Sequence, residues 1–219
     1  MTDTDFLTTT QTFYDTIVED YAAHFRDVLA VRPLDRAVLT GFAELVGNGG
    51  QVADLGCGPG QVTAFLDSLG LSVFGVDLST GMVELARREN PGLRFSQGSM
   101  LDLDLPDGGL AGVVAWYSAV IHTPTDRLPD LFAELARVLA PGGHLLTAFQ
   151  VGDEPLHLDQ PFGHQVSLDF HRRQPDRIAE LLEAAGLEVR ARLLRESDPD
   201  VGESTPQASL IARKPRAAG

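Results

Sequence analysis

The chain lacks several features that are typical of secreted and membrane proteins. It has a single cysteine, Cys57, so an internal disulfide is impossible, which fits a reducing compartment. It has no uninterrupted apolar run of about 18 residues, the length that a transmembrane helix needs. Its first residues, MTDTD, are acidic and lack the basic and apolar regions of a signal peptide. We therefore predict a cytoplasmic protein that does not bind a membrane.

Basic residues are also scarce. Lys and Arg number 17 against 31 Asp and Glu, which gives a formal net charge of −14. Such a surface repels phosphate backbones, whose neutralisation contributes much of the affinity for nucleic acid. The hydrophobic fraction is nevertheless 43% over 219 residues, enough for the core of one domain. We therefore predict a single domain over 1–219 that has no nucleic-acid partner.

A glycine-rich segment is the most informative part of the sequence. Residues 52–60, VADLGCGPG, read as a strand and a loop with Gly56, Gly58 and Gly60 at every second position. Glycine tolerates positive φ and lets backbone N–H groups approach a ligand closely. A helix is predicted directly afterwards, over 61–69, and its N-terminus favours a negatively charged group. The loop is typical of a nucleotide-like cofactor site, although an ordinary strand–helix turn is the alternative.

The spacing of the loop separates two classes of cofactor. The dinucleotide fingerprint G-x-G-x-x-G has Gly or Ala where this chain has Gln61, and it assigns no role to Asp54. The pattern D-x-G-x-G-x-G resembles the first motif of the class I S-adenosylmethionine (SAM)-dependent methyltransferases. In that family the loop wraps the methionine end of SAM, and the acid that corresponds to Asp54 commonly faces the ammonium group. The resemblance implies SAM as the cofactor, bound by the loop residues Gly56, Cys57, Gly58 and Gly60. We interpret the Cys57 side chain as a small buried group and not as a nucleophile.

The next strand supplies a candidate for binding ribose. Asp77 ends a predicted strand over 72–77, at 77 − 54 = 23 residues after Asp54. An acid about 20 residues beyond a glycine turn can accept hydrogen bonds from both ribose hydroxyls. Leu78 and Met82 follow, the latter on the first turn of a predicted helix that starts near 79. We expect both to lie by the nucleoside, although Met82 is equally consistent with a core position.

Two further loops are expected at the cofactor. Ser99 and Met100 follow the third strand, in the loop that meets the adenine edge in the family. This chain departs from the family there, because an Asp is usual where Ser99 stands; a hydroxyl can bond the adenine amino group but carries no charge. Trp116 and Tyr117 end the fourth strand, where they either cover the cofactor or pack at the strand end.

The order of the elements predicts an α/β fold. Strands and helices alternate after about residue 49, which indicates a parallel sheet with helices on both faces. Two consecutive strands, over 187–194 and 207–213, resemble the antiparallel hairpin that ends the methyltransferase sheet. The resemblance implies a seven-stranded, mostly parallel sheet with an antiparallel last strand. We expect a Rossmann-like core over 49–213 and an N-terminal helical cover over 1–48.

The predicted cover carries two tyrosines on one face. Tyr14 and Tyr21 lie seven residues apart in a helix predicted over 8–30. In many members of the family an N-terminal helix covers the site, and tyrosines there reach the carboxylate of SAM. Packing of this face on the sheet is the alternative.

Histidines are the candidates on the acceptor side. His122 follows the fourth strand, at the edge where open parallel sheets bind ligands, and the ordinary pKa of histidine, near 6.5, suits a general base. A histidine that only packs in that turn is the alternative. The segment 151–173 is expected to form a substrate lid, in which His164 or His171 contacts the acceptor. Its three histidines would suit a metal only on a helix, which Pro and Gly within it argue against, so no metal is predicted.

The resemblance implies methyl transfer from SAM to a small molecule. Such an in-line displacement needs mainly alignment of the acceptor with the methyl group, and it needs a base only when the acceptor must lose a proton. The signature of DNA-base amino methylation is absent after the fourth strand, and the acceptor atom (O, N, C or S) stays open. A SAM-binding protein without methyl transfer and an NAD-dependent oxidoreductase are the alternatives. We expect a monomer or homodimer.

Overall fold

The computed structural model describes residues 3–216, and their side chains from Phe6 onward. The outermost residues of the predicted domain, 1–2 and 217–219, lie outside this range. The helices are α1 Asp3–Phe25, α2 Val28–Val31, α3 Pro33–Val46, α4 Gln61–Ser68, α5 Thr80–Glu89, α6 Ala119–His122, α7 Leu128–Val138 and α8 Pro175–Ala184. The strands are β1 Gln51–Leu55, β2 Ser72–Asp77, β3 Arg94–Gln97, β4 Leu110–Trp116, β5 Leu139–Gln150, β6 Leu156–Asp159, β7 Ser167–Phe170, β8 Glu188–Arg195 and β9 Gln207–Arg213.

Seven of the strands form one sheet, in the order β3-β2-β1-β4-β5-β9-β8. Strands β1 to β5 are parallel to one another, and β9 lies between β5 and β8, antiparallel to both. The predicted seven-stranded, mostly parallel sheet with an antiparallel last strand is therefore confirmed. The carboxyl ends of β1, β2 and β4 meet at one edge, where open α/β sheets bind ligands.

The two faces of the sheet bury different helices because successive side chains of a strand alternate between the faces. On one face α3 buries Leu39 and Phe42 against a set of strand residues that includes Val52, Val114 and Leu146. On the other face α7 and α8 cover a second cluster that includes Val113 and Leu145. Helix α3 thus belongs to the sheet's own helix layer, whereas α1, together with Val28 and Arg32, lies at the carboxyl ends of the strands.

Two segments differ from the sequence-based expectation. The helix predicted over 8–30 is divided, because α1 ends at Phe25 and α2 begins at Val28. The predicted lid over 151–173 contains a two-stranded antiparallel hairpin, β6–β7, joined through a short turn at Pro161–Gly163. Alternate side chains of the hairpin are partly buried, so it presents one face to the rest of the molecule.

Candidate active site

A cavity of about 680 Å³ lies at the carboxyl ends of the central strands, beneath α1 and the β6–β7 hairpin. This volume is typical of small-molecule sites. The cavity brings together most of the residues predicted from the sequence, and its wall includes Tyr14, Tyr21, Asp54, Gly56, Cys57, Gly58, Asp77, Leu78, Met82, Ser99, Met100, Trp116, Tyr117 and His122. Gly60, His164 and His171 are not in the wall.

The glycine loop needs two of its glycines for different reasons. Gly56 has a φ of +69°, and a Cβ there would lie 2.4 Å from Cβ of Ser118, so a side chain cannot be accommodated. Ser118 is held at that place because its hydroxyl donates to the Leu55 carbonyl at 2.6 Å. Gly58 has a φ of +52° and open space beside its Cα. The backbone at Gly58 is therefore free to approach a ligand in the cavity.

Gly60 does not line the cavity, and its contact with the cofactor stays a prediction. It begins α4 in a left-handed conformation, and a Cβ there would lie 2.8 Å from the ring of Phe95. Its role is packing between the loop and β3. Cys57 is in the cavity wall, and burial raises the pKa of its thiol well above the usual value, so it is a neutral side chain.

Asp77 is fixed by two backbone hydrogen bonds. Gly58 N–H donates to Oδ2 at 2.7 Å and Ser79 N–H donates to Oδ1 at 2.8 Å. Each carboxylate oxygen has two lone pairs, so each can still accept from one further donor. Burial raises the pKa of Asp77, and the two backbone N–H groups oppose that rise by stabilising the charge. The carboxylate can thus receive a pair of hydroxyl groups.

Asp54 is more deeply buried than Asp77. The hydroxyl of Thr63, which is also buried, donates to its Oδ2 at 2.6 Å. Burial raises the pKa of Asp54 to about 7, although the hydrogen bond from Thr63 opposes the rise. Near neutral pH the group is close to its midpoint, so a cationic group placed beside it would hold it as the carboxylate.

His122 and Tyr14 form a hydrogen-bonded pair between α6 and α1. The Tyr14 hydroxyl lies 2.8 Å from Nε2 of His122, and Nδ1 of His122 is buried without a hydrogen-bond partner. Burial lowers the pKa of His122 to about 3 and raises that of Tyr14, so both are neutral at physiological pH. Burial thus makes His122 a weaker base in the ligand-free protein than an ordinary histidine, and its role as a base stays a prediction.

The remaining residues of the wall surround these polar groups with apolar surface. Met82 is almost fully buried, so it contributes to the core and to the wall at once. Trp116 and Tyr117 form an edge-to-face pair with ring centroids 5.5 Å apart, and Tyr117 has a φ of +50°, which is rare outside glycine. Tyr21 packs edge-to-face on Tyr14 at 5.6 Å.

The histidines of the hairpin segment do not converge. His157 pairs with Asp169 across the hairpin at 2.7 Å, and His164 pairs with Asp20 of α1 at 2.8 Å. His171 donates its backbone N–H to the Ile121 carbonyl at 2.9 Å. Among residues 3–216 we find no group of three or more His, Cys, Asp or Glu side chains that could hold a metal ion. Within the same range no helix has the length and apolar character needed to cross a membrane.

Three residues of the site have roles that the sequence analysis missed. Asp15 of α1 accepts from Gly81 N–H at 2.9 Å and from the Ser79 hydroxyl, so it caps α5 beside Asp77. Gln61 donates from Nε2 to the carbonyls of Phe25 and Arg26 at the end of α1, at 2.9 and 3.1 Å. Arg32 lines the cavity. Because these contacts join distant parts of the chain, no local pattern indicates them.

The comparisons with known proteins agree with this geometry. Residues 52–143 match the family described as a methyltransferase domain. The malonyl-(acyl-carrier protein) O-methyltransferase of Serratia marcescens is 34% identical over 98 residues, which are 45% of this chain and 37% of that protein. The chain spans less than half the length of the curated relatives that it matches first, at 37%, 37% and 41%.

Solved structures share the fold over nearly the whole chain. Magnesium protoporphyrin IX methyltransferase from Synechocystis PCC 6803, solved with bound SAM, has a TM-score of 0.72 at 16% identity and covers 95% of this chain and 97% of its own. The 4+2-cyclase SpnF has a TM-score of 0.70 at 19% identity, with 95% and 96% covered. At these identities the likeness concerns the fold alone.

Proposed function

We propose that this chain, a member of the class I SAM-dependent methyltransferase family, transfers a methyl group from SAM to an O, N, C or S atom of a small molecule. The observation that carries the proposal is the pair of buried acids on adjacent parallel strands, Asp54 and Asp77, with the open Gly58 backbone between them. The carboxylate of Asp54 can accept from a methionyl ammonium group, and the carboxylate of Asp77 can accept from the hydroxyls of a ribose.

The residues of the cavity fit SAM in chemistry as well as in position. Asp77 keeps a free lone pair on each oxygen for the ribose hydroxyls, and Asp54 would be held ionised by the ammonium group. Leu78, Met82, Ser99 and Met100 form the wall on the β2–β3 side, where we place the adenine. When bound, SAM supplies an electrophilic methyl group.

The protein's own contribution is alignment of the acceptor. The Tyr14–His122 pair sits in a wall that also contains Ile121 and Phe170, whose ring centroid is 5.0 Å from that of His122. Neutral polar groups in an apolar wall orient an acceptor without providing a strong base. We therefore propose that His122 positions the acceptor, and that it acts as a base only if a bound acceptor raises its pKa.

We also propose how the rest of the chain serves the site. The chain forms one domain, in which α1 and the hairpin segment 151–173 are the lid over the acceptor. His164 contributes by holding the hairpin to α1 through Asp20, and neither His164 nor His171 contacts the acceptor directly. The acidic net charge favours a small-molecule acceptor over nucleic acid. We also propose that the protein is cytoplasmic and is a monomer or a homodimer.

The test is transfer of a labelled methyl group from SAM into the metabolite, protein and nucleic-acid fractions of a host extract. Label in the metabolite fraction supports the proposal and identifies the acceptor, whereas label in nucleic acid contradicts it. The Asp77→Ala variant, which lacks the ribose acceptor, is the matched negative control. SAM binding without any transfer would favour a non-methylating protein, a second candidate suggested by the fold that the chain shares with the cyclase SpnF.

A further inference from the structure

The elements that carry none of the proposed cofactor-binding acids form an apolar part of the cavity. We call it the acceptor chamber, and its wall consists of the first half of α1, the short helix α6 and the β6–β7 hairpin. Its apolar side chains include Phe6, Leu7, Phe13, Leu156, Leu158 and Phe170. The chamber therefore offers a ligand mainly hydrocarbon and aromatic surface.

Four rings hold the hairpin over the acceptor chamber. The ring centroid of Phe13 is 5.9 Å from that of Phe170 and 5.3 Å from that of Tyr14. His122 closes the set, with its centroid 5.0 Å from that of Phe170 and 5.3 Å from that of Tyr14. All four contacts are edge-to-face, an arrangement that aromatic pairs prefer. Packing between α1, α6 and β7 thus fixes the shape of the chamber.

No Asp, Glu, Lys or Arg lines the acceptor chamber among the side chains that the structure describes. The charged residues of the cavity wall lie on other elements, and they are Arg32, Asp54, Asp77 and Glu203. The polar groups that Tyr14 and His122 contribute to the chamber are neutral. An ion in this chamber would lose its hydration without gaining an opposite charge, which is costly.

The hairpin turns apolar side chains inward and charged side chains to solvent. Leu158 pairs with Leu168 across the inner face, and both are partly buried. On the outer face His157 and Asp169 form an ion pair in which both side chains are more than half exposed, at 59% and 55%. Leu158 lines the cavity and Leu168 does not. An apolar ligand in the chamber would complete the burial of side chains such as Leu158.

We propose that the acceptor chamber binds an uncharged, largely apolar acceptor. The inference rests on the proposed function and narrows the class of small molecule that is methylated. The apolar body of the acceptor would cover the inner face of the hairpin, and the Tyr14–His122 pair would orient its polar group. Acceptors that carry a carboxylate, a phosphate or an ammonium group are disfavoured, because the chamber has no charge to pair with them.

The test is calorimetric binding of three probes that share one ring system, at neutral pH and with saturating S-adenosylhomocysteine. They are 2-naphthol, which is neutral, 2-naphthoate, which is an anion, and 2-naphthylmethylammonium, which is a cation. We expect the wild type to bind 2-naphthol at least about tenfold more tightly than either ion, because the ions lose hydration without a partner. An ion that binds as tightly as 2-naphthol overturns the proposal, and so does a failure of 2-naphthol to bind.

A lysine placed in the acceptor chamber should reverse this preference. In Leu158→Lys we expect 2-naphthol to bind at least about tenfold more weakly and 2-naphthoate at least about tenfold more tightly, since the anion gains a partner. The matched control is Leu168→Lys, on the same face but outside the cavity wall, which should change neither affinity. Equal effects of the two variants overturn the proposal. If thermal melts show that Leu158→Lys does not fold, Leu158→Gln and Leu168→Gln replace the pair, and only Leu158→Gln should weaken the binding of 2-naphthol.

S-adenosylhomocysteine separates this inference from the proposed function. If the wild type does not bind S-adenosylhomocysteine, the proposed function is contradicted, whatever the naphthyl probes show. If the wild type binds it and thereby loses 2-naphthol, the cofactor occupies the acceptor chamber. That outcome overturns the inference about the acceptor and leaves the proposed function standing.

Discussion

The two buried acids of the site have the same chemistry but different surroundings. Asp77 receives two backbone N–H groups, whereas Asp54 receives only the Thr63 hydroxyl. Backbone donors stabilise a carboxylate, and burial with few donors destabilises it. Asp77 is therefore suited to a permanent role as a hydrogen-bond acceptor, and Asp54 to one that depends on a cationic ligand.

The role of Asp77 predicts a loss of cofactor affinity on truncation. In Asp77→Ala we expect SAM to bind at least about tenfold more weakly, because hydrogen bonds to a charged group are worth roughly 1.5–3 kcal/mol. Calorimetry measures the affinity, and a thermal melt establishes that the variant folds. Asp104→Ala, at an exposed loop acid, is the control with unchanged affinity. Equal affinity in Asp77→Ala and the wild type would refute the ribose assignment.

The raised pKa of Asp54 predicts that SAM affinity depends on pH. In the free protein the pKa is about 7, so below that pH the neutral acid must release a proton before it can face an ammonium group. We expect the affinity to fall as the pH drops below about 7, with a slope that approaches tenfold per pH unit. In Asp54→Asn, SAM should bind weakly at every pH and without this slope. A wild-type affinity that stays flat from pH 5.5 to 8 would contradict this role.

At the residue scale, sequence motifs predict positions better than they predict chemistry. Asp54 and Asp77 follow a motif, and both lie in the cavity wall as expected. The sequence gives no sign that His122 is neutral, because its low pKa arises from burial by α1 and the hairpin. Gly60 fits the motif equally well, yet it packs on Phe95, because a spacing rule cannot separate ligand contact from packing.

At the scale of elements, α1 is the helix that covers the cavity. It is held to cofactor-binding elements at three points: Asp15 caps α5, Tyr14 bonds His122, and Gln61 of α4 bonds the carbonyls at its end. These contacts lie in the C-terminal half of the helix and at its end. We therefore expect cofactor binding and the position of α1 to be coupled through residues next to Asp77 and the glycine loop.

This arrangement predicts that removal of the Asp15 cap loosens α1. Asp15→Ala leaves Gly81 N–H and the Ser79 hydroxyl without their acceptor, at a cost of about 1 kcal/mol, typical of a lost cap. We expect faster amide hydrogen exchange in α1 and the first turn of α5, and slower exchange again after SAM is added. Glu19→Ala is the control, because its ion pair with Arg88 is exposed and contributes little. Identical exchange in both variants would exclude the coupling.

Elements with a strong local signal are predicted well from the sequence. The strands over 72–77 and 207–213 match β2 and β9 residue for residue, because each is apolar and bounded by turn residues or acids. The β6–β7 hairpin was expected only as a lid, although Leu156, Leu158, Leu168 and Phe170 alternate with polar residues. Its strands are four residues each, too short for a period-2 pattern to stand out.

At the scale of the whole molecule, burial produces two sets of titrating groups with opposite effects on stability. Burial raises the pKa values of Asp35, Asp54 and Asp77 and lowers those of several histidines, including His122. A carboxyl group with a raised pKa holds its proton to a higher pH in the folded state than in the unfolded chain, so its contribution to stability falls as the pH rises. A histidine with a lowered pKa stays neutral while the unfolded chain binds a proton, so its contribution falls as the pH drops below about 6.5.

The opposed signs can be separated with two variants unfolded in urea at pH 7 and pH 5. As the pH drops from 7 to 5, the unfolded chain binds a proton at His122 and the folded protein does not. This lowers the free energy of unfolding by about 2 kcal/mol, because each pH unit below the ordinary pKa near 6.5 contributes about 1.36 kcal/mol. On acidification the free energy of unfolding of His122→Asn should therefore fall by about 2 kcal/mol less than that of the wild type. Asp54, with a pKa of about 7 in the folded protein, binds a proton over the same pH interval, which raises the free energy of unfolding by about 2 kcal/mol. On acidification Asp54→Asn should therefore lose about 2 kcal/mol more stability than the wild type. Equal pH responses of the His122 and Asp54 variants would show that neither group is buried as its surroundings indicate, because only burial gives their contributions opposite signs.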